Sequence, residues 1–212
     1  MEAGNNPTST ALDIVGRINK VTGKREGGIL GLTSQQAGFV RNARQQLLSG
    51  DPAQMQAYLE RKRRDKRHDR TILKAIREGK ALTKAQVDQI TGRYEASLLK
   101  LRGDMIARTE SLTSLGAAQY EAAMQMVESG SVRRDQVTKI WRSASDGRVR
   151  DSHIALNGTE MPLSSMFISP ATGAMMAHPG DVAHGAHGED IVACRCWLEI
   201  KVDYLAPFGR AA

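Results

Sequence analysis

The clearest capacity for chemistry in this 212-residue chain lies in its two cysteines, Cys194 and Cys196. They fall in a segment, Ile191–Tyr204, whose side chains alternate in character with a period of two, which predicts a strand. Residues two apart on a strand point to the same side, so both thiols are expected to face one way. Together with one or two histidines, such a pair of thiols is a candidate zinc site.

Other states of these cysteines stay open at the level of sequence. They can be buried, metal-free thiols beside a hydrogen-bonded histidine, because a free cysteine behaves as a small apolar residue. A disulfide between them is disfavoured, because cysteines this close on one strand cannot reach the geometry of the bond. Two cysteines also make no disulfide framework, which is typical of an intracellular protein.

A strongly basic segment, residues 61–80, is the second candidate site. It holds ten lysines and arginines against three acidic residues, so its net charge equals the +7 of the whole chain. This asymmetry predicts an anionic partner, either nucleic acid or an acidic protein surface, and the alternative is a solvated helix face. Contacts with DNA would be independent of base sequence, because nothing here resembles a base-reading helix. The candidate contact residues are Arg61, Lys62, Arg63, Arg64, Lys66, Arg67 and Arg70.

Catalysis is not predicted. A cysteine, a histidine and an aspartate allow a thiol nucleophile or a metal hydrolase to be drawn, but no motif places a base beside a nucleophile. Neither a phosphate-binding glycine loop nor a His-Glu-x-x-His motif occurs. The segment Met1–Thr10 is polar and no run of about 18 apolar residues is present, so neither a secretory signal nor a membrane span is expected. We therefore expect no membrane partner and no small-molecule substrate.

Helices are predicted over most of the first 130 residues. Capping boxes begin at Thr33 and Thr83, and Asp51–Pro52 is a typical helix start. The helix that begins at Pro52 is expected to continue through the basic residues up to Arg67. From Val87 to Val127 apolar residues keep a helical period, which predicts either a helical hairpin or one extended helix.

The composition of the chain changes near Gly130, after which glycine and proline become frequent and strands are expected. We predict strands only after about Val132. The predicted fold class is α+β, with a mostly helical N-terminal half and a small antiparallel β-rich C-terminal domain. The predicted parts are a flexible N-terminal arm (1–30, with a short helix over Ala11–Val21), a helical region (31–130), a β-rich domain (131–205) and a tail (206–212).

An ordered set of short motifs runs through the second half of the chain. Its residues are Arg108, Thr109, Glu110, Trp141, Asp146, Arg148, Arg150, His153, Gly158, Pro179, Gly180, Cys194, Arg195 and Cys196. In order and spacing the set resembles the phage Mu protein F-like head-morphogenesis family of minor head proteins, over roughly Leu101–Val202. Two details depart from the family pattern: Ala193 stands where asparagine is common, and the glycine-rich insert carries two further histidines, His184 and His187.

The resemblance implies a third ligand for the cysteine pair, because the family motif includes His153. A fourth ligand of a structural zinc ion would come from His178, His184 or His187. A small, aromatic-poor domain would gain from such a metal, because its own core is thin.

The resemblance also gives two charged segments alternative roles. Within it, Arg108–Glu110 is either a solvated helix face or a fixed junction, in which Arg108 or Glu110 pairs with the turn Asp146–Arg150. The arginines of that turn either form an internal ion-pair network or contact DNA phosphate or an acidic partner.

The family resemblance further implies a non-enzymatic structural protein of a phage or prophage. Such a minor head protein acts in head assembly or in DNA packaging and delivery, at the portal or the capsid interior. Its partners would be the portal protein, the major capsid protein and, non-specifically, DNA. Its location would be the virion head or procapsid, and the host cytoplasm before assembly. The alternatives from other classes are a basic accessory DNA-binding protein and a metal-dependent hydrolase.

Overall fold

The computed structural model describes residues 7–19 and 25–205. The chain divides into two compact units, Met1–Asp104 and Met105–Ala212, and the division falls within its longest helix. The predicted domain limits differ from this division and stay a prediction, as does the flexibility of the arm; residues 1–6, 20–24 and the tail 206–212 lie outside the described part. Among the described helices, none has both the length and the apolar character needed to cross a membrane.

The first unit is built from helices and one very short β-ladder. Its elements are α1 (Pro7–Val15), β1 (Arg17–Ile18), β2 (Arg25–Glu26), α2 (Ser34–Leu48), α3 (Pro52–Leu59), α4 (Asp69–Glu78) and the first part of α5 (Lys84–Glu128). The strands β1 and β2 pair antiparallel. Helices α2 to α5 enclose a core of buried apolar side chains that includes Leu47, Met55, Tyr58, Ile72 and Ile90.

The helix starts predicted from capping signals are confirmed. The Thr33 hydroxyl accepts the backbone N–H of Gln36, and the Gln36 side chain accepts the N–H of Thr33. Thr83 and Gln86 repeat this reciprocal arrangement before α5. Asp51 caps α3, where Pro52 takes the first helical position. Of the two alternatives for the long periodic run, the structure has one extended helix of 45 residues.

Two predictions for the first unit are wrong. The helix predicted over Ala11–Val21 ends at Val15, and β1 and β2 lie well before Val132. The cause is Gly16, which has a φ of +80° and lies so close to the backbone of Glu26 that an added Cβ would be 2.5 Å from its carbonyl oxygen. Glycine is therefore required there, and its left-handed conformation ends the helix and leads into the ladder.

The helix α3 also does not continue through the basic residues. It ends at Leu59, and a single 3₁₀ turn, Lys66–His68, precedes α4. The carboxylate of Asp65 accepts the backbone N–H of Arg67 and so caps this new turn. An aspartate that competes for backbone N–H groups in this way favours a helix start over a helix interior. The basic residues therefore do not share one helical face.

The second unit combines the remainder of α5 with small antiparallel sheets. Its further elements are β3 (Val137–Ser143), α6 (Asp151–Leu156), β4 (Glu160–Pro162), β5 (Phe167–Ile168), β6 (Met175–Met176), α7 (Gly188–Ile191) and β7 (Cys196–Val202). The main sheet has the order β4-β3-β7, and β5 pairs with β6. The predicted α+β class, with helices first and small antiparallel sheets after Gly130, is confirmed.

The strand predicted over Ile191–Tyr204 is only partly present. Its first residues form the short helix α7, and β7 begins at Cys196. Between them Ala193 adopts a φ of +53°, which turns the chain sharply before the strand. Cys194 therefore lies in a turn rather than on the strand.

Candidate metal centre

His153 is placed by the short helix α6. The helix begins after Arg150, whose carbonyl accepts the N–H groups of His153 and Ile154. This puts the imidazole on the inner side of α6, where the residue is 1% exposed. The ring of Trp141, from the middle of β3, contacts the imidazole edge-on at 5.4 Å between ring centroids.

Both cysteine sulfurs meet one nitrogen of this imidazole. His153 Nδ1 lies 3.5 Å from the Cys194 sulfur and 3.4 Å from the Cys196 sulfur. Both cysteines are free and buried. The prediction that the two thiols converge on His153 is confirmed, but a turn and the first residue of β7 achieve it rather than two positions on one strand.

An apolar shell surrounds the three side chains. Trp141, Phe167, Met176 and Leu198 are all buried in the same cluster as the cysteines. Phe167 stacks edge-on against the indole of Trp141, with 5.2 Å between ring centroids. An apolar setting of this kind disfavours the charged form of a side chain, unless a hydrogen bond, an opposite charge or a bound cation compensates for it.

The two thiols respond to this setting in opposite directions. The pKa of Cys194 is lowered to about 5, chiefly because the Cys196 S–H donates to its sulfur and further because His153 lies beside it, against the opposing effect of burial. The pKa of Cys196 is raised, because the neighbouring Cys194 sulfur and burial disfavour a second negative charge. Once one of the two thiols has lost its proton, the other is therefore harder to ionise.

The donor set fits three of the four ligands that zinc takes. The ligand atoms of His153, Cys194 and Cys196 all lie within 4.8 Å of one another. At zinc–sulfur and zinc–nitrogen bond lengths, the ligand atoms of a tetrahedral site are about 3.5 Å apart, which agrees with both sulfur–nitrogen distances. His153 Nε2 is buried and has no hydrogen-bond partner among the described residues, whereas metal-bound histidines usually donate this second N–H.

The predicted fourth ligand is not brought to the cluster. The His178 ring packs 6.0 Å from the Tyr120 ring, and its Nδ1 lies 3.1 Å from the Pro179 carbonyl oxygen. His184 Nδ1 lies 2.6 Å from a carboxylate oxygen of Asp181. His187 stands at the N-terminus of α7. Among the described residues, the candidate metal cluster contains no fourth histidine, cysteine, aspartate or glutamate.

Three contacts hold the loop that carries the cysteines. The Ala193 N–H donates to the Thr109 hydroxyl of α5 at 2.9 Å. The Arg195 guanidinium binds both carboxylate oxygens of Asp146. The Arg150 guanidinium donates to the Val192 carbonyl oxygen. A bidentate arginine–carboxylate pair fixes orientation as well as distance, so the loop is positioned from three sides.

These contacts decide between the alternatives for the charged motif residues. For Arg150 and Asp146 the internal network is supported, because Arg150 binds the Val192 carbonyl oxygen and Asp146 binds Arg195. Arg148 joins it only through its backbone N–H, which donates to Asp146 at 3.1 Å, and its side chain is exposed. Of the two alternatives for Arg108 and Glu110, the solvated helix face is present, and the pairing with the Asp146–Arg150 turn is not. Both side chains are exposed, and neither has a hydrogen bond or an ion pair among the described residues. Thr109, between them, makes the junction instead.

The glycines of the motif stand where the backbone needs them. Gly158 has a φ of +83°, and its N–H donates to the Trp141 carbonyl oxygen at 2.8 Å. Gly180 has a φ of +81°, and an added Cβ would meet the Thr113 side chain of α5 at 2.9 Å. Pro179, which precedes it, is buried.

A buried carboxylate beside this centre was missed by the sequence analysis. Asp190, in α7, is 0% exposed and accepts hydrogen bonds from the Ser169 and Thr172 hydroxyls at 2.5 and 2.7 Å. Burial alone would raise the pKa of Asp190, but these hydrogen bonds and the nearby His153 lower it. An acidic residue in a glycine-rich loop carries no sequence signal of burial.

The structure sorts the residues of the predicted basic contact set into two groups. Arg61 donates to the Gln46 side chain, Arg64 binds Asp69 with both nitrogens, and Arg67 binds Asp65. Each of these three therefore has a side-chain partner within the first unit, although Arg67 remains exposed. For the other four, no hydrogen bond or ion pair of the side chain is present among the described residues; these are Lys62, Arg63, Lys66 and Arg70.

A family model described as phage Mu protein F like protein matches residues 66–199 of the chain. No curated protein and no solved structure matches it. The matched span contains every motif residue described above, from Arg108 to Cys196, and all three contacts that hold the cysteine loop.

Proposed function

Because the chain belongs to the phage Mu protein F-like family, we propose that it is a non-enzymatic minor head protein of a phage or prophage. It acts in head assembly or in DNA packaging and delivery, at the portal or the capsid interior. Its proposed partners are the portal protein and the major capsid protein, and its proposed location is the procapsid or virion head.

The observation that carries this proposal is the set of contacts that the motif residues make within the second unit. Thr109, Arg150 and Arg195 hold one loop against the rest of the second unit. Trp141 and the cysteines fill the core beneath the loop. Residues that hold a surface loop in one conformation suit a protein that binds other proteins through its shape.

The test is co-purification with a portal protein during head assembly. The wild-type chain is expected in purified procapsids or heads and in a complex with the portal. An Arg195→Ala variant should lose this association, because the loop is no longer held by Asp146. Arg142→Ala removes an exposed ion pair with Glu199 on the same sheet and is the matched control, which should associate normally. Absence of the wild-type chain from heads at every assembly stage would contradict the proposal.

For the metal centre we propose a structural zinc ion bound by His153, Cys194 and Cys196. The support is the convergence of two sulfurs and one nitrogen at ligand spacing in a buried site. When bound, the zinc would add its binding free energy to the folding of the second unit. The competing state is a metal-free pair of buried thiols that is hydrogen-bonded to His153.

Metal analysis of protein purified without chelator separates the two states. We expect about one zinc per chain and loss of zinc in Cys194→Ser, together with unfolding of the second unit. His184→Ala is the control and should keep the zinc, because that imidazole binds Asp181 instead. Purified protein that contains no zinc, and whose thermal stability does not change when a chelator is added, would establish the metal-free state.

A further inference from the structure

A groove in the first unit is lined almost entirely by charged side chains. It encloses about 300 Å³. Its lining includes six cations (Arg25, Arg63, Arg64, Arg67, Arg93 and Lys100) and one acid (Asp65), beside Ile18, Ala96 and Ser97. Chain segments far apart in sequence supply these residues, namely β2, the turn after α3, and α5. The basic surface is therefore built by the fold rather than by one basic run.

Half of these cations are already neutralised. Arg64 pairs with Asp69, Arg67 with Asp65, and Lys100 with Asp104. Among the described residues, no carboxylate lies within ion-pair distance of Arg25, Arg63 or Arg93. The groove thus holds about three positive charges without a counter-charge.

One of the three is held in place before any ligand arrives. The Arg25 guanidinium donates to the Ala96 carbonyl oxygen at 3.1 Å and to the Gly16 carbonyl oxygen at 2.6 Å. Burial lowers the pKa of this guanidinium, against a weaker opposing effect of Asp104. A charge kept at such a desolvation cost gains from an anion placed beside it.

We propose that this groove binds the phosphodiester backbone of DNA. Arginine presents a planar fork of donors that matches phosphate oxygens in pairs, and three such forks in one groove suit a row of closely spaced anions. A peptide ligand would also need apolar pockets and partners for its own backbone. The groove offers few apolar pockets, because Ile18 and Ala96 are the only apolar residues among its described lining.

The proposal can fail or succeed separately from the head-assembly role, and the family match covers only one of the three unpaired arginines, Arg93. Arg25 and Arg63 lie outside the matched residues 66–199. It also changes the set of contact residues suggested by the sequence. The Arg61 side chain donates to Gln46 and Tyr94 and is not part of the groove lining. Arg25 of β2 and Arg93 of α5 belong to that lining instead.

The experiment measures the affinity of the full chain for a short duplex of arbitrary sequence at several salt concentrations. Three proteins are compared: wild type, Arg63→Ala/Arg93→Ala, and the control Arg41→Ala/Arg77→Ala. The control removes the same charge from exposed helix positions outside the groove. Each phosphate contact contributes roughly 0.9 to the slope of log affinity against log salt, so the groove variant should lose about 2 from that slope. The control should change the slope by less than about half as much.

Two further measurements keep the test decisive. Arg63 lies in an exposed turn and has no side-chain partner among the described residues, so the single variant Arg63→Ala should fold normally and still lower the slope by about 1. Polyglutamate of equal charge is the competing probe for wild type. Equal slopes in the groove and control variants overturn the proposal, and so does tighter binding of polyglutamate than of DNA.

Discussion

The two units of this chain bury different kinds of side chain. Among the described residues, the first unit buries one polar side chain, Thr91, whereas the second buries seven. These are Lys139, Ser143, His153, Ser169, His178, Asp181 and Asp190. Buried polar groups need partners, and in the second unit those partners come from loops distant in sequence. The first unit is therefore held by apolar packing, and the second also by a network of specific hydrogen bonds.

Lys139 illustrates the difference. This residue of β3 is 0% exposed, its ammonium donates to the Ala177 carbonyl oxygen at 2.7 Å, and it lies 4.8 Å from the centre of the Tyr120 ring. Burial lowers its pKa to about 8, against an opposing effect of Asp181. The first unit keeps its cations at the surface or half-exposed, where they remain available to a partner.

The largest change in the free energy of unfolding is expected when a substitution creates a cavity in the core of the first unit. Met55 is 0% exposed in its core, so Met55→Ala should lower the free energy of unfolding by roughly 2–5 kcal/mol. The loss should be the same at pH 7 and pH 4, because the contact is apolar. Gln54→Ala, one residue earlier on the exposed side of α3, is the control and should be nearly neutral. Denaturant unfolding at both pH values measures this, and a loss that depends strongly on pH would break the comparison.

The second unit should instead respond through its buried polar network. Asp190→Ala leaves the Ser169 and Thr172 hydroxyls without their acceptor, at a cost of roughly 3 kcal/mol near pH 7. Asp190→Asn keeps one acceptor oxygen and should lose less.

The effect of Asp190→Ala should also depend on pH, with a definite sign. The pKa of Asp190 in the folded protein is lower than its unfolded value of about 3.9, so its contribution is fully present above about pH 5. That contribution is lost as pH falls through the unfolded and then the folded pKa. The difference between wild type and Asp190→Ala should therefore shrink between pH 5 and pH 3. A difference that grows in acid would show that the carboxylate is not stabilised as described.

The contrast between local packing in the first unit and long-range contacts in the second also explains which features could be predicted from the sequence. Helix starts at Thr33, Asp51 and Thr83 follow from local side-chain to backbone contacts, and the core of the first unit follows from helical periodicity. The early end of α1 does not, because it depends on the close approach of Gly16 to Glu26. Local rules succeed where the interactions are local.

In the second unit the residues of the metal centre were found by motif, but their arrangement was not. The turn at Ala193 interrupts the alternating pattern that suggested one strand, and no rule of periodicity places Asp190 inside. Likewise Arg25 and Arg93 join Arg63 only through the tertiary fold. A sequence can thus identify reactive residue types without showing which distant residues surround them.

A smaller effect should separate the held arginines from the free ones. Arg64 binds Asp69 with two nitrogens and also donates to the Arg61 carbonyl oxygen, in a partly buried position. Arg64→Ala should therefore lower the free energy of unfolding by about 1 kcal/mol. Arg63→Ala, its neighbour of equal charge, should change it by less than about 0.5 kcal/mol. Equal losses in thermal unfolding would mean that the basic turn is not divided into structural and available cations.

The smallest effect, and one of opposite sign, is expected at Ala193. Its φ of +53° lies in the left-handed region, where a residue with a Cβ loses about 1–2 kcal/mol and asparagine is tolerated better. Ala193→Asn should therefore stabilise the chain by about 1 kcal/mol or slightly less. The backbone N–H that donates to Thr109 is kept in the variant. Ala155→Asn, on the exposed side of α6, is the matched control and should destabilise, because asparagine is a poorer helix former than alanine. Thermal unfolding followed by tryptophan fluorescence reports on this unit, since Trp141 and Trp197 both lie in it. If Ala193→Asn and Ala155→Asn lower the midpoint alike, the turn before Cys194 is not strained, and the loop owes its position to Thr109, Arg150 and Arg195 alone.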